Sequence, residues 1–255
     1  MTTARVWSVA LAGALLLASL GGIAGGDEKP EPPKGEGKVI VLDDFEAYPV
    51  TDKWDGGGQW QITTQPGCDF TASIAKSEGR EGKMLVLKNV RTSEERVCKW
   101  ATVNRELTQT TGAAVFTLSL WYRVPSAQAA DVGRVDMNLL EKGGPSMVFL
   151  VLDPYNVGFV YEDSKDGGNK WANHPAKPAA WHKVEMDVDQ GQQKFRVRVD
   201  DQVVKGAWGE WAPFRYNKQF SPAKPKILSF HAAHNWPSSA RWIDDVTLTL
   251  PEKKP

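Results

Sequence analysis

The stretch KVEMDVDQGQQKFRVRV, from Lys183 to Val199, decides the fold class of this chain. Apolar and charged residues alternate on both sides of a polar segment around Gln190 and Gly191. Alternation with a period of two is typical of a β-strand that buries one face. Two such runs joined by a short polar segment predict a β-hairpin, so the stretch predicts two adjacent antiparallel strands.

The register of this hairpin follows from the position of its turn. With the turn centred on Gln190 and Gly191, the predicted facing pairs are Val184 with Val197, Met186 with Phe195, Glu185 with Arg196, and Asp187 with Lys194. Apolar residues then meet on one face and opposite charges on the other, and both kinds of pair stabilise a sheet. The carboxylates of the first strand are thus predicted to be partners in salt bridges.

Short β-rich runs also occur on both sides of this hairpin. In AVFTLSLWYRV the alternation places Phe116, Leu118, Leu120 and Tyr122 on one face. The other runs are KVIVLDDF, KMLVLKNV, RVDMNLL, MVFLVLD, VGFVYED, KILSFHA and RWIDDVTLTL. Short strands separated by Gly, Pro, Asn and Asp clusters, without a helical period or an internal repeat, predict an all-β, two-sheet antiparallel sandwich. We expect one domain over residues 39–250, with a tail at 251–255.

The N-terminal segment has the composition of an export signal. Arg5 precedes an apolar run over residues 6–20, and small residues follow it. This pattern predicts a cleaved signal peptide over residues 1–24; an uncleaved membrane anchor is the alternative, although the run is short for one. Residues 25–38 are charged and rich in Pro and Gly, which predicts a disordered linker. We therefore expect a secreted, periplasmic or cell-envelope protein with no membrane insertion after cleavage.

The chain has two cysteines, Cys68 and Cys98, and both lie in the predicted exported part. Oxidising compartments favour pairing, so we predict one disulfide. Two free thiols are the alternative, because sequence alone fixes no geometry.

The balance of charge excludes one class of partner. Lys and Arg number 31, and so do Asp and Glu, whereas a nucleic-acid binder is expected to carry a strong basic excess. The 11 tryptophans are unusual for this length. Tryptophan packs in cores and also stacks on sugar rings, so this excess alone separates neither role.

Two terminal stretches and the central one carry a resemblance to a known superfamily. They are VLDDFEAYPVTDKW near the start, WIDDVTLTL at the end, and WHKVEMDVDQGQQKFRVRVDDQVV between them. Together they resemble the jelly-roll sandwiches of the concanavalin A-like lectin and glucanase superfamily, including laminin G-like domains and carbohydrate-binding modules. The resemblance implies a jelly roll whose first and last strands pair.

A structural calcium ion is also implied by this resemblance. Pairing of the terminal strands would bring together the carboxylates of Asp44, Glu46, Asp244 and Asp245. Crowded like charges repel unless a cation compensates them, and calcium takes oxygen ligands of this kind. The alternative is that these acids bond turn amides and bind no metal.

Catalytic candidates are weak. Laminarinase-like glycosidases of the superfamily carry ExDxE on a strand, and the matching positions here are Glu185, Asp187 and Asp189. A retaining mechanism needs carboxyl groups roughly 5 to 5.5 Å apart, but residues four apart on a strand are roughly 13 Å apart. His182, with His231 and His234, is a further candidate base or zinc ligand, although packed or surface histidines are the simpler interpretation. We retain Glu185, Asp187 and His182 as possible catalytic residues.

Sugar-binding candidates fall into two groups. A flat aromatic face beside amides and carboxylates is what a sugar ring requires, and tryptophans in predicted loops supply it. These loop candidates are Trp171, Asn173, Trp208, Trp211 and Trp236. Alternation in RVDMNLL puts Arg134, Asp136 and Asn138 on one strand face, which is either a sugar surface or an ordinary solvated face. Each tryptophan has the alternative of plugging an end of the sandwich.

The function that these patterns favour is non-catalytic binding of a polysaccharide or glycan. A glycoside hydrolase or polysaccharide lyase of the same fold is the second hypothesis. A structural or adhesion module of the cell envelope is the third, with the predicted linker as its tether.

Overall fold

A computed structural model describes residues 37–67, 69–89, 101–110, 112–124, 135–141, 146–162, 169–215, 224–231 and 239–252. In this part of the chain there are sixteen strands and one short 3₁₀ turn, Thr108–Thr110. The strands are β1 (Lys38–Asp43), β2 (Trp60–Thr64), β3 (Phe70–Lys76), β4 (Lys83–Asn89), β5 (Ala101–Glu106), β6 (Val115–Arg123), β7 (Val135–Leu140), β8 (Ser146–Leu152), β9 (Asn156–Glu162), β10 (Asn169–Pro175), β11 (His182–Asp189), β12 (Lys194–Val199), β13 (Gln202–Val203), β14 (Ala212–Pro213), β15 (Ile227–His231) and β16 (Ser239–Leu250).

The strands form two sheets, and their pairings are antiparallel, as the sequence predicts. The large sheet has nine strands in the order β13-β12-β11-β6-β16-β4-β3, with β1 also paired to β16 and β14 to β12. The small sheet has seven strands in the order β10-β9-β8-β7-β15-β5-β2. Neighbours that are distant in sequence pair in both sheets, so the chain crosses between the sheets repeatedly.

The terminal strands pair, as the resemblance implies. β1 lies against the second half of β16, from Lys38 opposite Leu250 to Asp43 opposite Val246. The first half of β16 pairs with β4 instead. The change occurs at a bulge around Asp245, whose φ is 47°. β16 therefore pairs with β4 over its first half and with β1 over its second half, and it pairs with β6 along its other side.

The central hairpin forms, but its predicted register is wrong by two residues. Asp187 faces Arg196 and Glu185 faces Arg198. The turn contains four residues, 190–193, rather than two, and Gln193 closes it with a φ of 56°. A shift of two preserves the alternation of faces, so apolar residues still meet on one side and opposite charges on the other.

The core lies between the two sheets and follows the alternation of the strands. The predicted inner face of β6 is confirmed, because its alternate residues from Phe116 to Tyr122 are all at most 3% exposed. On the small sheet, Met137, Phe230 and Val103 occupy neighbouring strands and belong to the same core cluster. The side chains that alternate with these on the small sheet face outward, and they form what we call the outer face.

All ten β-rich runs that the sequence identifies form strands, whereas β2, β3, β5, β10 and the two-residue strands β13 and β14 were not predicted. β2, β3, β5 and β10 contain Thr, Ser, Asn, Gln or Lys at many positions, so their period is harder to detect. The loop predicted for WANHP is wrong, because Trp171 to Pro175 lie in β10. Among the described strands, β10 is the last one at one edge of the small sheet and pairs with β9 alone. Pairing with a neighbour overrides the low strand propensity of these residues.

Several predictions fall on residues outside the described ranges. They are the signal peptide and nearly all of the linker, the disulfide between Cys68 and Cys98, and the candidates Arg134, Trp236 and His234. In the part that is described, no helix combines the length and the apolar character needed to cross a membrane.

Candidate functional site

The acidic residues of the central hairpin are neutralised by its basic residues. Asp187 is 5% exposed and accepts hydrogen bonds from Arg196 at 2.9 and 2.7 Å, from Arg198 at 3.0 and 3.1 Å, and from Thr117 at 2.8 Å. Glu185 lies 3.1 Å from Lys183 Nζ and 3.3 Å from Arg198 Nε. Both carboxylates are therefore engaged in ion pairs on the outward side of the large sheet, and neither resembles a free nucleophile.

His182 is held by hydrogen bonds on both ring nitrogens. The side chain is buried, its Nδ1 lies 2.7 Å from Asp200 Oδ2, and its Nε2 lies 2.9 Å from the carbonyl oxygen of Lys177. The ring also packs beside Tyr122, with centroids 5.6 Å apart. These contacts attach the turn before β11 to the sheet, which is a structural role.

The four predicted calcium ligands are not gathered into one set. Asp44 Oδ1 accepts a hydrogen bond from the Glu46 amide at 3.1 Å, and Glu46 accepts one from the Lys83 amide. Asp244 and Asp245 both accept hydrogen bonds from Arg80. Among the described residues, no three His, Cys, Asp or Glu side chains form a group that could hold a metal ion. The residues present thus do not fit a calcium site in this arrangement, and calcium binding stays a prediction.

Asp244 nevertheless has an unusual electrostatic environment. Burial of the carboxyl group, with the charge of Asp245 beside it, raises the pKa of Asp244 to about 6, although the hydrogen bond from Arg80 acts in the opposite direction. The Arg80 guanidinium also lies 4.2 Å from the ring centroid of Trp121. Arg80 is the cation that compensates the paired carboxylates here, and the sequence offered no signal for it because it lies in a distant loop.

A second acidic residue, Asp43, anchors the start of the fold. Its carboxylate accepts hydrogen bonds from Trp60 Nε1 at 2.7 Å, Tyr48 Oη at 3.0 Å and Arg105 Nη1 at 3.4 Å. Burial, followed by the charge of Asp43, raises the pKa of Tyr48 to about 12. Trp54 and Trp60 are both buried in the core.

The predicted sugar-binding tryptophans are separated by the fold. Trp208 packs against the core. Trp211 stacks with Arg196, whose guanidinium carbon lies 5.0 Å from the ring centroid. Arg196 belongs to β12 of the large sheet, whereas Trp171 and Asn173 belong to β10 of the small sheet. The structure therefore does not bring Trp208 and Trp211 together with Trp171.

Trp171 presents an open aromatic surface on the outer face of the small sheet. Its side chain is 52% exposed, and its ring packs edge to face against Phe149 with centroids 6.2 Å apart. Arg215 covers the Phe149 ring, with its guanidinium carbon 5.4 Å from the ring centroid. Asn173, two residues along β10, is exposed on the same side. A Cβ on Gly158 would lie 2.5 Å from Asn173 Oδ1, so the glycine makes room for this amide.

One row of outward-facing side chains crosses the whole small sheet at the level of Trp171. We call it the central row, and in strand order it consists of Trp171, Val160, Phe149, Asn138, Ser229, Asn104 and Gln61. Strands in a sheet lie about 4.8 Å apart, so the row spans roughly 29 Å. It is aromatic and apolar at one end and amide-rich at the other.

The middle of the outer face is not open to solvent. Asn138 is 7% exposed and Asp136 is 1% exposed. Both polar atoms of the Asn138 side-chain amide are hydrogen-bonded. Oδ1 accepts from Ser146 Oγ at 2.7 Å, and Nδ2 donates to the Asp136 carbonyl at 3.2 Å. His231 faces Asp136 from β15, with Nδ1 3.6 Å from Oδ2. At Asp136 and Asn138, the strand face predicted as a sugar surface or a solvated face is therefore buried.

A polar cleft of about 370 Å³ lies at the amide-rich end of the central row. Its described lining consists of Gln59, Gln61, Asn104, Glu106, Thr108 and Ile227. These residues come from β2, β5, β15 and the segments next to them. Sequence reasoning missed them because they lie in three separate stretches, two of them in strands that were not predicted.

Comparison with known proteins identifies the architecture. The fold is similar to a sialidase, with a TM-score of 0.52, 16% identity, and coverage of 75% of this chain and 17% of that chain. It is also similar to the cellulose-induced protein Cip1, with a TM-score of 0.50, 15% identity, and coverage of 81% and 95%. The fold is a jelly roll.

A third similar structure is the family 11 carbohydrate-binding module from Clostridium thermocellum, solved with a β-1,3-1,4-mixed-linked tetrasaccharide. Its TM-score is 0.44 at 14% identity, with 85% of this chain and 98% of that chain covered. This chain spans less than a fifth of the sialidase, at 17% of its length. No family model and no curated protein matches the sequence. At these identities, the likeness establishes the jelly-roll fold alone.

Proposed function

We propose that this protein binds glycans without cleaving them, on the outer face of the small sheet. The observation that carries the proposal is the Trp171 indole, which is 52% exposed on a regular strand. Removing such a ring from water is favourable, and the apolar C–H face of a sugar can cover it. Asn173 on the same side of β10 offers a donor and an acceptor for ring hydroxyls.

The ring of Trp171 is held in place, which favours recognition. Phe149 packs against its edge, and β9 pairs with β10 along its whole length. A ring whose orientation is set before binding loses little conformational entropy when the ligand arrives. The acidic residues of the large sheet, in contrast, are engaged with arginines. The described geometry therefore does not support catalysis by these carboxylates.

We also propose that the protein acts outside the cytoplasm. The signal-like segment over residues 1–24 and the Pro- and Gly-rich linker after it support export, and the linker would tether the jelly roll to its surroundings. A polysaccharide of a cell wall or extracellular matrix is the class of ligand that such a location supplies.

Retention on immobilised polysaccharides tests the binding proposal. The Trp171→Ala variant is expected to bind the polysaccharide about tenfold more weakly, because a stacked aromatic ring contributes roughly 1 to 1.5 kcal/mol to the binding free energy. Trp171→Phe should retain part of the affinity. Near-equal retention of wild type and Trp171→Ala on every polysaccharide bound would refute the proposed site.

Trp211→Ala is the matched control for loss of an indole. Trp211 is stacked on Arg196 of the large sheet, so we expect unchanged retention and only a change in stability. If Trp211→Ala abolished retention in a folded variant while Trp171→Ala did not, the ligand would lie on the large sheet instead.

A second candidate function is cleavage of a bound polysaccharide, and the pair His231 and Asp136 favours it. An imidazole next to a carboxylate is the arrangement of a general base, and His231, whose side chain is 20% exposed against 1% for Asp136, lies on the same outer face as Trp171. The test is release of reducing or unsaturated ends from each polysaccharide that the protein retains. Turnover that disappears in His231→Ala would establish this function, whereas no turnover by wild type supports pure binding.

A further inference from the structure

The cleft at the far end of the central row has the chemistry of a second ligand site. It lies beside β5 and β2, five to six strand spacings from Trp171. At about 4.8 Å per strand, that separation is roughly 24 to 29 Å. A single sugar ring in contact with Trp171 cannot reach it, so the two places would be occupied by different rings of a polymer or by different ligands.

The side chains of the cleft are suited to hydroxyl groups. Gln61 lies on β2, Gln59 comes just before that strand, and Asn104 faces Gln61 from the next strand. Each amide offers two donors and one acceptor oxygen, and each sugar hydroxyl both donates and accepts. Ile227 adds an apolar surface beside them, as a sugar ring requires for its C–H groups.

The hydrogen bonds of Asn104 provide an independent observation. Its Nδ2 donates to Thr102 Oγ1 at 3.0 Å, whereas its Oδ1, which is buried, accepts no hydrogen bond from a described residue. A buried acceptor without a donor is costly. A small adjustment of this amide toward a donor in the cleft would remove that cost.

We infer that this cleft is a second glycan subsite. The inference rests on the proposed glycan binding and adds to it a second point of contact. Engagement of both sites by one polymer raises its apparent affinity above that of a short oligosaccharide, because the second contact is intramolecular.

The experiment is calorimetric titration of the full chain with short oligosaccharides. The probes are the neutral tetrasaccharides of cellulose, laminarin, mannan and xylan. We expect at least one of them to bind.

Two variants on one strand locate the subsite. Gln61→Ala is expected to weaken the neutral tetrasaccharide about fivefold, the effect of one lost hydrogen bond. Thr63→Ala is the matched control, since Thr63 is exposed on the same side of β2 and does not line the cleft; we expect no change. Equal effects of the two variants, or none, would overturn the inference. Shifts of the Gln61 and Asn104 side-chain amide resonances on titration give a second readout that needs no variant.

The outcomes separate this inference from the proposed function. If Gln61→Ala is silent while Trp171→Ala abolishes polysaccharide retention, the cleft inference fails and the proposed function stands. If Gln61→Ala weakens binding while Trp171→Ala does not, the site proposed at Trp171 fails and the cleft remains. If none of the polysaccharides or tetrasaccharides binds wild-type protein, both are refuted.

Discussion

Asp187 and Arg196 face each other across the central hairpin, and two guanidinium nitrogens of Arg196 donate to the same carboxylate oxygen of Asp187, at 2.9 and 2.7 Å. Arg198 donates to both oxygens of Asp187 from the next outward position on the same strand. One buried carboxylate thus binds two guanidinium groups, and Glu185 and Glu210 supply further negative charge beside them.

We predict that Asp187→Asn lowers the free energy of unfolding by about 3 kcal/mol, because it removes the most buried counter-charge of Arg196 and Arg198. Chemical denaturation measures this change. Glu185→Gln is the matched control. The Glu185 side chain is more exposed, at 17%, so its loss should cost about 1 kcal/mol or less. Glycan retention should stay unchanged in both variants. A folded Glu185→Gln protein that had lost polysaccharide turnover would contradict the structural role assigned here.

A pH dependence of stability is predicted from Asp244. Its folded-state pKa is raised from 3.8 to about 6, so the folded protein holds a proton between those values that the unfolded chain has released. The contribution of Asp244 to the free energy of unfolding is therefore fully present below pH 4 and is lost as the pH rises toward 6. The slope is at most about 1.4 kcal/mol per pH unit.

Denaturation of wild type and Asp244→Asn across pH 4 to 7 measures this effect. The variant should show a smaller fall in stability over that interval. Two parallel curves would mean that Asp244 titrates normally in the folded protein.

Calcium binding at Asp244 and Asp245 can be tested by removing the positive charge of Arg80. Arg80 occupies the position of a compensating cation beside Asp244 and Asp245. If calcium binds there, millimolar CaCl₂ should raise the Tm and chelator should lower it, since a ligand specific for the folded state stabilises it. Arg80→Ala removes the competing cation and should enlarge this response. A Tm that is indifferent to calcium and chelator in both proteins would rule out the site.

The predicted disulfide between Cys68 and Cys98 has a direct test. Thiol titration of the denatured, unreduced protein should find no free thiol. Cys98→Ser should lower the free energy of unfolding by about 3 to 4 kcal/mol on the chain-entropy model, because the unfolded chain gains the freedom of an open loop. Reduction of wild type should have the same effect. Two reactive thiols in protein purified from an oxidising compartment would contradict the pairing.

The faces of the strands were predictable from the sequence, and the exact partners were not. Alternation in the hairpin correctly separates Val184 and Met186 from Glu185 and Asp187, because a shift of two residues leaves each side chain on the same face of the sheet. The register itself depends on the number of residues in the turn, and the positive φ of Gln193 has no unambiguous sequence signal. Arg196 was therefore matched with the wrong carboxylate.

The candidate site was predicted in part. Trp171 and Asn173 were identified by residue type, although they were expected in a loop rather than a strand. The cleft at Gln61 and Asn104 was not identified, because neither residue stands out in its own segment. Nor did sequence indicate that Asp136 is 1% exposed on an outward-facing position.

The sequence by itself determines the all-β class and the alternation of faces, because these follow from the local period; the pairing of the terminal strands is what the resemblance of the terminal segments implies. The tertiary structure alone decides which distant segments become neighbours. It places Trp171 and Gln61, 110 positions apart in the chain, at the two ends of one row, and it supplies Arg80 to Asp244 and Asp245. These relationships depend on the order of strands in the sheets, which is set by burial of the whole core and not by any one segment.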